Sequence, residues 1–137
     1  MANYQCRINF LTTKLNELLN GAVFSFQNKA NVSIKPGLYA IFEGEVCIYI
    51  GQSENLKQRL NKHGNPKLPC KNSKEWGDAD TFVKKLYNRK DLKSECQRKH
   101  FIENVYSFEI QEFDGCTLDR KKLEHFYIAV LEPELND

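Results

Sequence analysis

Apolar residues near the start of the chain recur three or four positions apart, as they do on one face of an amphipathic helix. This spacing predicts a helix from about Arg7 to Leu19, and Asn20-Gly21 is a typical stop signal. A polar loop is expected to follow as far as Pro36-Gly37. The residues expected to face the core from this helix are Ile8, Leu11, Leu15, Leu18 and Leu19.

The pattern becomes strand-like after Pro36. Residues 38–43 and 46–51 are rich in Tyr, Ile, Phe and Val, and the turn residues Glu43-Gly44-Glu45 separate them. Two β-prone runs joined by a short loop with a glycine predict an antiparallel hairpin. Because both strands are strongly apolar, other elements must cover them.

A helix is predicted directly after the hairpin. Ser53 is the expected N-cap of a helix over residues 54–63, since its hydroxyl can accept a hydrogen bond from the first turn. Asn55, Arg59 and His63 stand four positions apart, so we expect them to share one face of this helix.

The second half of the chain predicts one more strand among further helices. Residues 105–113 form a β-prone run that is typical of a strand. A final helix is expected from Thr117 or Leu118 to Leu131, with Thr117 as its N-cap, and Pro133 prevents its continuation. The segments expected before that strand are a loop over residues 65–77, a short helix or strand over 80–88 and a helix over 93–104.

These elements predict an α/β (α+β) fold, in which a small, mainly antiparallel, three-stranded sheet is flanked by helices. The length of 137 residues and the apolar content of 41% indicate one globular domain that spans residues 1–137. Within it, we interpret residues 1–34 as an N-terminal helical extension and residues 65–104 as a basic, mostly helical insertion.

The composition and the sequence argue against several classes of protein. No stretch approaches the ~20 consecutive apolar residues of a membrane helix, and the first residues lack the basic and apolar regions of a secretory signal. The five cysteines are scattered without metal-site spacing, so we expect reduced thiols. The expected location is cytoplasmic.

The net charge of +2 indicates only weakly that the partner is a polyanion. Lysines and arginines are concentrated in the segment 65–104, where a solvated basic face and a DNA-binding surface are both compatible with the sequence. Aromatic residues among these cations allow two interpretations as well, stacking on splayed bases or packing in a core. They are Trp76, Phe82, Tyr87 and Phe101.

Three small groups of residues offer candidate chemistry. Tyr39 and Tyr49 lie on the paired strands near glycines, where a ligand can approach the backbone. Arg59 offers a bidentate phosphate ligand and His63 a proton acceptor near neutral pH. Glu124, at the edge of the apolar stripe of the last helix, offers an oxygen ligand for a hard cation. For each residue taken alone, an ordinary structural role is the more common explanation.

The order of these groups resembles the GIY-YIG nuclease family. The resemblance covers residues 36–64 and 105–136, and Leu38 stands where the family name has Ile. In chain order the matching features are Gly37-Leu38-Tyr39, Tyr49-Ile50-Gly51, the helix with Arg59 and His63, and the helix with Glu124 that is followed by Pro133 and Asn136.

The resemblance implies a role for each matching position. Tyr39, with Tyr49, would orient or deprotonate the attacking water, and Arg59 would hold the scissile phosphate. Glu124 would bind a single Mg²⁺ or Mn²⁺ ion. The general base stays open between Tyr39 and His63, because a free tyrosine titrates near pH ~10, although Arg59 and the metal would favour its phenolate. Further substrate contacts are expected from Gln52, Lys57 and Asn136.

The expected function is metal-dependent hydrolysis of phosphodiester bonds in DNA by an endonuclease, either structure-directed, as in repair or recombination, or restriction-like. The alternative is a nucleic-acid-binding module that keeps the fold without catalysis. The expected partner is DNA and not a membrane. A compact domain of this kind would read DNA shape by itself, as a homodimer, or with a partner protein that supplies specificity.

Overall fold

The computed structural model describes residues 4–136, and the predicted mixture of helices and strands is present in it. A short 3-10 helix, Lys74–Asp78, begins within residues 65–77, where the sequence predicts a loop. The elements in chain order are α1 (Tyr4–Leu19), β1 (Val23–Ser25), β2 (Gly37–Glu43), β3 (Val46–Ser53), α2 (Leu56–His63), α3 (Thr81–Arg89), α4 (Glu95–Asn104), β4 (Tyr106–Glu112) and α5 (Thr117–Leu131).

An antiparallel sheet forms the middle of the fold, with the strand order β1-β4-β2-β3. The predicted hairpin is confirmed as β2 and β3, and Gly44 in its turn adopts a left-handed φ of 62°. The sheet has four strands rather than the three expected, because β1 pairs with β4. β1 has only three residues and exposes the first and last, so it lacks the apolar alternation that marks a strand in a sequence.

Side chains of the central hairpin alternate between two separate cores, one on each face of the sheet. Leu38 and Ile50 pack with apolar residues of α1 and α5. Tyr39 and Ile41 face the other way and pack with α2, α3 and α4. Burying a large apolar side chain stabilises the fold by about 1.5–3 kcal/mol, so both faces hold the hairpin in place. This burial on both faces explains the almost continuously apolar sequence of β2.

Helix α2 begins two residues later than the sequence predicted. Asn55, not Ser53, is its N-cap, and the Asn55 side chain accepts a hydrogen bond from the backbone N–H of Gln58 at 3.0 Å. The Ser53 hydroxyl bonds instead to the backbone of Asn55, where it shapes the turn between β3 and α2. The prediction of Ser53 as the cap was therefore wrong.

Arg59 and His63 are four residues apart on α2, as expected, but they differ in burial. Arg59 is exposed, whereas His63 is 1% exposed and points into the core. His63 lies seven residues after Leu56, which is nearly two whole turns of about 3.6 residues. It therefore lies between Leu56 and Arg59 around the helix axis, close enough to Leu56 to enter the core.

The segment 65–104 packs on the sheet through α3 and α4. Asp80 caps α3, and Ser94 forms a capping box with Gln97 at the start of α4. Residues 80–88, for which the sequence left a helix or a strand open, are helical apart from the cap. Phe82 is completely buried in the core, so packing accounts for this aromatic.

One cation of this segment is structural. Arg98 is buried, and its guanidinium donates hydrogen bonds to the backbone carbonyls of Pro66, Leu92 and Lys93. These three backbone carbonyls thereby have a hydrogen-bond donor inside the fold. The basic composition of the segment therefore overstates the positive charge that reaches its surface.

Helix α5 spans the predicted residues, from Thr117 to Leu131. Its N-cap is Cys116 rather than Thr117, and Cys116 forms no side-chain capping hydrogen bond. Glu132 ends the helix in the left-handed conformation, with a φ of 47°. Within residues 4–136, no helix is long and apolar enough to cross a membrane.

Candidate active site

The hairpin places Tyr39 against the backbone near the end of β3. Tyr39 lies opposite Gly51 in the strand register, and a Cβ atom at Gly51 would lie 2.2 Å from the Tyr39 hydroxyl. Only glycine leaves room for this phenol. The ring of Tyr49 lies nearby, with its centroid 6.3 Å from that of Tyr39. The two tyrosines therefore lie together, as the sequence indicated.

A chain of hydrogen bonds runs from Tyr39 through His63 to Asp80. The Tyr39 hydroxyl oxygen lies 2.6 Å from Nε2 of His63. Nδ1 of His63 lies 2.8 Å from each carboxylate oxygen of Asp80. Tyr39 and His63 are each 1% exposed, whereas the Asp80 side chain is 16% exposed. This chain of hydrogen bonds thus connects three elements that are far apart in sequence, namely β2, α2 and the start of α3.

Aromatic rings enclose the imidazole of His63. The ring centroids of Tyr39, Tyr49 and Phe82 lie 5.4, 5.7 and 5.3 Å from its own. Close packing of this kind fixes the orientation of a side chain. The imidazole is therefore held in one position between Tyr39 and Asp80.

Burial keeps the Tyr39 phenol neutral. Desolvation, followed by repulsion from Tyr49, raises the pKa of Tyr39 well above its ordinary value. Arg59 lowers this pKa, as expected, but desolvation outweighs the guanidinium. A phenolate that stands ready at neutral pH is therefore disfavoured.

Asp80, in contrast, is an ionised carboxylate. Burial by itself would raise the pKa of Asp80, but the hydrogen bond from His63, the Val83 N–H and the nearby Arg59 bring it below its ordinary value. The chain of hydrogen bonds therefore has a neutral phenol at its buried end and a negative charge at its half-buried end.

Arg59 lies in an open cleft beside this buried chain. The cleft has a volume of about 570 Å³ and is lined by the end of β3, by α2 and by the start of α5, where Lys121 adds a second cation. The charge of Arg59 lowers the pKa values of Tyr39, Asp80 and Glu124, so all three groups lie within its electrostatic reach. A planar guanidinium in an open cleft is suited to bind a phosphate group.

Glu124 lies on α5 close to the cationic side of the cleft. It is half-buried, and desolvation raises its pKa, although His125, the Gln52 backbone N–H, Lys121 and Arg59 act in the opposite direction. A carboxylate that has lost part of its hydration is stabilised in its charged form by a nearby cation.

The surroundings of Glu124 fit a hydrated hard cation. No three His, Cys, Asp or Glu side chains within residues 4–136 cluster as a complete metal site. Mg²⁺ does not need such a cluster, because it keeps several waters and is bound through one or two carboxylates together with substrate phosphates. Glu124, which the charges of the cleft residues Arg59 and Lys121 influence, can supply such a carboxylate.

Buried Arg120 connects the end of β3 to the start of α5. Its guanidinium donates to the side-chain oxygen of Gln52 at 3.1 Å, to the Gly115 carbonyl at 2.7 Å and to the Thr117 hydroxyl at 3.0 Å. Gln52 is therefore fixed by its side chain, while its backbone N–H reaches Glu124. Sequence reasoning missed Arg120, because an arginine in the first turn of a helix is usually exposed.

Asn136 ties the end of the chain to β3. Its amide oxygen accepts from the Ile50 N–H at 2.8 Å, and its amide nitrogen donates to the Ile50 carbonyl at 2.9 Å. Both polar atoms of the Asn136 side chain are therefore bonded to the backbone beside Gly51. This favours a supporting role for Asn136 over the expected direct substrate contact. Lys57 is half-buried on α2, and its backbone N–H bonds to the Ser33 carbonyl.

A second group of aromatic and basic side chains lies in the segment 65–104. The rings of Trp76 and Tyr87 meet edge to face at 5.4 Å, and the ammonium groups of Lys93 and Lys71 lie 4.1 and 5.7 Å from the Tyr87 ring centroid. Both rings are half-buried. These two aromatics, unlike Phe82, are therefore accessible to a bound molecule.

The sequence identified the tyrosines, Arg59 and Glu124 as neighbours but gave no role to Asp80. Asp80 does carry a recognisable signal, since it precedes a helix at the N-cap position. Nothing in the sequence shows that the same carboxylate also reaches a histidine 17 positions earlier. That contact depends on how α3 packs against α2.

Comparisons with known proteins match most of the chain to a described family. The family model described as the GIY-YIG catalytic domain matches residues 35–136. A segment of 33 residues is 58% identical to UvrABC system protein C of Thermosipho africanus (strain TCF52B). That segment is 24% of this chain and 6% of the relative, so the chain matches only a small part of the relative's length.

The fold is also that of a solved nuclease domain. A point mutant of the GIY-YIG N-terminal endonuclease domain of UvrC from Thermotoga maritima, bound to its catalytic divalent cation, aligns with a TM-score of 0.50 and 19% identity. The alignment covers 81% of this chain and 92% of that domain. The magnesium-bound form of the same domain aligns with a TM-score of 0.48 and 18% identity, over 91% of this chain and 97% of that one.

Proposed function

The chain belongs to the GIY-YIG family, and from that premise we propose that it is a divalent-metal-dependent endonuclease that hydrolyses phosphodiester bonds in DNA. The observation that carries the proposal is the 2.6 Å contact between the Tyr39 hydroxyl and His63 Nε2, close to a cleft that contains Arg59. Such hydrolysis needs a positioned phosphate, an activated water and neutralisation of developing charge. The site offers a group for each requirement.

Arg59 binds the scissile phosphate in this proposal. Its side chain is exposed in the cleft, and a guanidinium can donate two parallel hydrogen bonds to two phosphate oxygens. The same donors stabilise the additional negative charge that develops as water attacks phosphorus. Lys121 on the opposite wall adds electrostatic attraction for the DNA backbone.

Tyr39 and His63 together act as the base. The raised pKa of Tyr39 disfavours a phenolate at neutral pH, so Tyr39 takes a proton from water only as it passes its own proton to His63. The 2.6 Å contact is short enough for that transfer. Tyr49, whose ring contacts those of Tyr39 and His63, orients the pair and the water.

Glu124 holds the divalent cation, Mg²⁺ or Mn²⁺. The metal-bound UvrC domain that shares this fold supports a cation in the family's site. A cation there supplies charge neutralisation for the phosphate and the leaving oxygen. Glu124 keeps its carboxylate in place through the Gln52 backbone N–H, and Arg120 holds Gln52 in turn.

The remaining expected residues support this arrangement. Asn136 fixes the backbone of Ile50, next to the glycine against which Tyr39 packs. Gln52 shapes the wall of the cleft, and Lys57 on α2 adds a cation near the DNA backbone.

The proposed substrate is DNA whose structure, rather than a long sequence, directs cleavage. A compact domain has little surface for reading base edges along a duplex, whereas junctions, flaps and bent DNA expose backbone from several directions. Repair or recombination intermediates are substrates of this kind. A homodimer or a partner protein would supply any further specificity.

A cleavage panel tests the proposal. Supercoiled plasmid, linear duplex, flap, four-way junction and single strand are each incubated with the chain in Mg²⁺, in Mn²⁺ or in EDTA. Glu124→Ala and Tyr39→Phe are the test variants. Glu45→Ala, in the exposed hairpin turn, and Tyr106→Phe, at a buried hydroxyl that has no hydrogen-bond partner within residues 4–136, are their controls.

We expect cutting that requires the metal, is lost in both test variants and persists in both controls. DNA binding in EDTA without any cutting in metal would favour the alternative of a non-catalytic binding module. Cutting that survives Glu124→Ala would contradict the proposed metal ligand.

A further inference from the structure

Asp80 contacts His63 from the side opposite Tyr39. Both of its carboxylate oxygens lie 2.8 Å from Nδ1 of His63, while Nε2 of the same ring faces the Tyr39 hydroxyl. Asp80 belongs to the segment 65–104, which lies outside the sequence motifs of the family resemblance. Its backbone position is fixed as the N-cap of α3.

The chemistry of Asp80 determines which nitrogen of His63 carries the proton. An ionised carboxylate accepts hydrogen bonds and donates none, so Nδ1 must carry a hydrogen to bond with it. In a neutral imidazole, Nε2 is then an acceptor with a free lone pair. That lone pair faces the Tyr39 hydroxyl at 2.6 Å, and the surrounding aromatic rings prevent the imidazole from turning away.

We propose that Asp80 is a positioning residue, which holds His63 in the Nδ1–H tautomer so that Nε2 can accept the Tyr39 proton. The tautomer follows from the structure alone, whereas its consequence for catalysis rests on the proposed nuclease function. Asp80 touches neither water nor phosphate in this account and acts only through His63.

Two linked transfers carry a proton from the attacking water to His63. An O–H bond of the attacking water breaks, its proton goes to the Tyr39 oxygen, and the Tyr39 proton passes to Nε2 of His63. The water oxygen forms a bond to phosphorus, and the bond from phosphorus to the leaving oxygen breaks. The leaving oxygen carries the departing electron pair and takes a proton from solvent. His63 becomes an imidazolium whose Nδ1–H remains bonded to the Asp80 carboxylate, which stabilises the new charge.

The capping role of Asp80 can be separated from its role at His63. The cap needs only an oxygen that accepts from the Val83 N–H, here at 3.0 Å, and asparagine caps helices as well as aspartate does. The contact with His63, however, needs a carboxylate. In Asp80→Asn, the amide can donate to Nδ1 and favour the opposite tautomer, in which Nε2 carries the hydrogen and no longer accepts from Tyr39.

The first measurement is the tautomer of His63 by long-range ¹H–¹⁵N NMR at neutral pH. The chain has three histidines, so the His63 signals are assigned by their loss in His63→Gln. We expect the Nδ1–H form in the wild type and in Asp78→Asn, which neutralises an exposed carboxylate two residues before Asp80. We expect a shift toward the Nε2–H form in Asp80→Asn.

The second measurement is cleavage under saturating DNA, with the Kd for DNA taken in EDTA. Asp80→Asn should lower kcat by on the order of 10²–10⁴-fold, the range for loss of a general base or of its correct tautomer. The Kd and the unfolding temperature should stay close to those of the wild type, and Asp78→Asn should change none of the three. If Asp80→Asn does not fold, Asp80→Ser, which also caps helices and is uncharged, replaces it in both measurements.

The outcomes separate this inference from the proposed function. An unchanged His63 tautomer in Asp80→Asn overturns the inference, even where kcat falls, because the loss would then be structural. A reversed tautomer with an unchanged kcat overturns the catalytic role of Asp80. A wild type that cuts no DNA counts against the nuclease proposal, and the NMR experiment still decides whether Asp80 sets the tautomer.

Discussion

The two halves of the candidate site differ in their exposure to solvent. The inner half, formed by Tyr39, His63 and Asp80, is almost completely enclosed and joined by hydrogen bonds of 2.6 to 2.8 Å. The outer half, formed by Arg59 and Glu124, borders an open cleft and carries full charges that solvent can reach.

The difference follows from what each half has to do. Proton transfer between weak acids depends on fixed distances and exact partners, which a packed interior supplies. Phosphate and metal binding require groups that exchange with solvent, since both ligands arrive hydrated. Substitutions in the inner half should therefore change the rate of the chemical step, and those in the outer half should also change binding.

The largest effect within the inner half is expected for Tyr39→Phe. Removal of the hydroxyl breaks the path from water to His63, so kcat should fall by about 10²–10⁴-fold. Affinity for DNA in EDTA should not change, because Tyr39 is buried. Single-turnover cleavage and equilibrium binding measure the two quantities. Equal losses in rate and in affinity would contradict the separation of the two halves.

In the outer half, Arg59→Ala should lower both the cleavage rate and the affinity. Loss of a transition-state donor typically costs about 10²–10³-fold in kcat. Loss of one phosphate contact should also reduce the slope of log Kd against log salt concentration by about one. Lys62→Ala, an exposed cation on the same helix outside the cleft, is the matched control. A salt slope that stays the same in Arg59→Ala would remove Arg59 from the phosphate site.

Buried tyrosine and cysteine side chains with raised pKa values predict that the fold loses stability at alkaline pH. Desolvation raises the pKa of Tyr39 and of Tyr127, and raises the pKa of Cys47 from 9.0 to about 11. A group whose pKa is higher in the folded state stabilises the protein fully below its unfolded pKa, and this contribution is lost as pH rises toward the folded pKa. The free energy of unfolding should therefore be constant near neutrality and decline above about pH 9, by on the order of a few kcal/mol.

Urea unfolding at several pH values measures this decline. Cys47→Ala should delay its onset, because the cysteine has the lowest ordinary pKa of the three groups. A free energy of unfolding that does not change up to pH 10.5 would contradict the burial assigned to these side chains.

The smallest expected effect is the change in the free energy of unfolding when one of two buried tyrosine hydroxyls is removed. The Tyr106 hydroxyl has no hydrogen-bond partner among residues 4–136, whereas the Tyr127 hydroxyl donates to Gln111 at 2.6 Å. Tyr106→Phe should leave the unfolding free energy unchanged or raise it by about 1 kcal/mol, and Tyr127→Phe should lower it by about 1 kcal/mol. Thermal unfolding of the two variants checks the sign. A loss of stability in Tyr106→Phe would point to a partner for its hydroxyl.

Local patterns were sufficient to predict the hairpin and its tyrosines. The β-prone runs and the Gly44 turn define β2 and β3, and the register then brings Tyr39 and Tyr49 together. Helix α5 was predicted in the same way, from an apolar stripe that stops before Pro133. These features depend on neighbours within a few residues, so the sequence contains the necessary information.

The inner half of the site was harder to predict for two reasons. His63 was grouped with Arg59 by a spacing of four, although its spacing of seven from Leu56 corresponds more closely to whole helical turns and places it in the core. Its contact with Asp80 joins two helices across an irregular segment, so no local pattern encodes it. β1 was missed because a three-residue, mostly exposed edge strand is determined by its partner β4.

A Mg²⁺ titration of single-turnover DNA cleavage tests whether this chain is a metal-dependent endonuclease. Wild type, Glu124→Ala and Glu45→Ala are compared on the best substrate of the panel. We expect no cutting in EDTA, saturable activation by Mg²⁺ in the wild type and in Glu45→Ala, and a loss of at least about 10³-fold in Glu124→Ala. Cutting in EDTA, or the same Mg²⁺ dependence in all three proteins, would contradict this expectation.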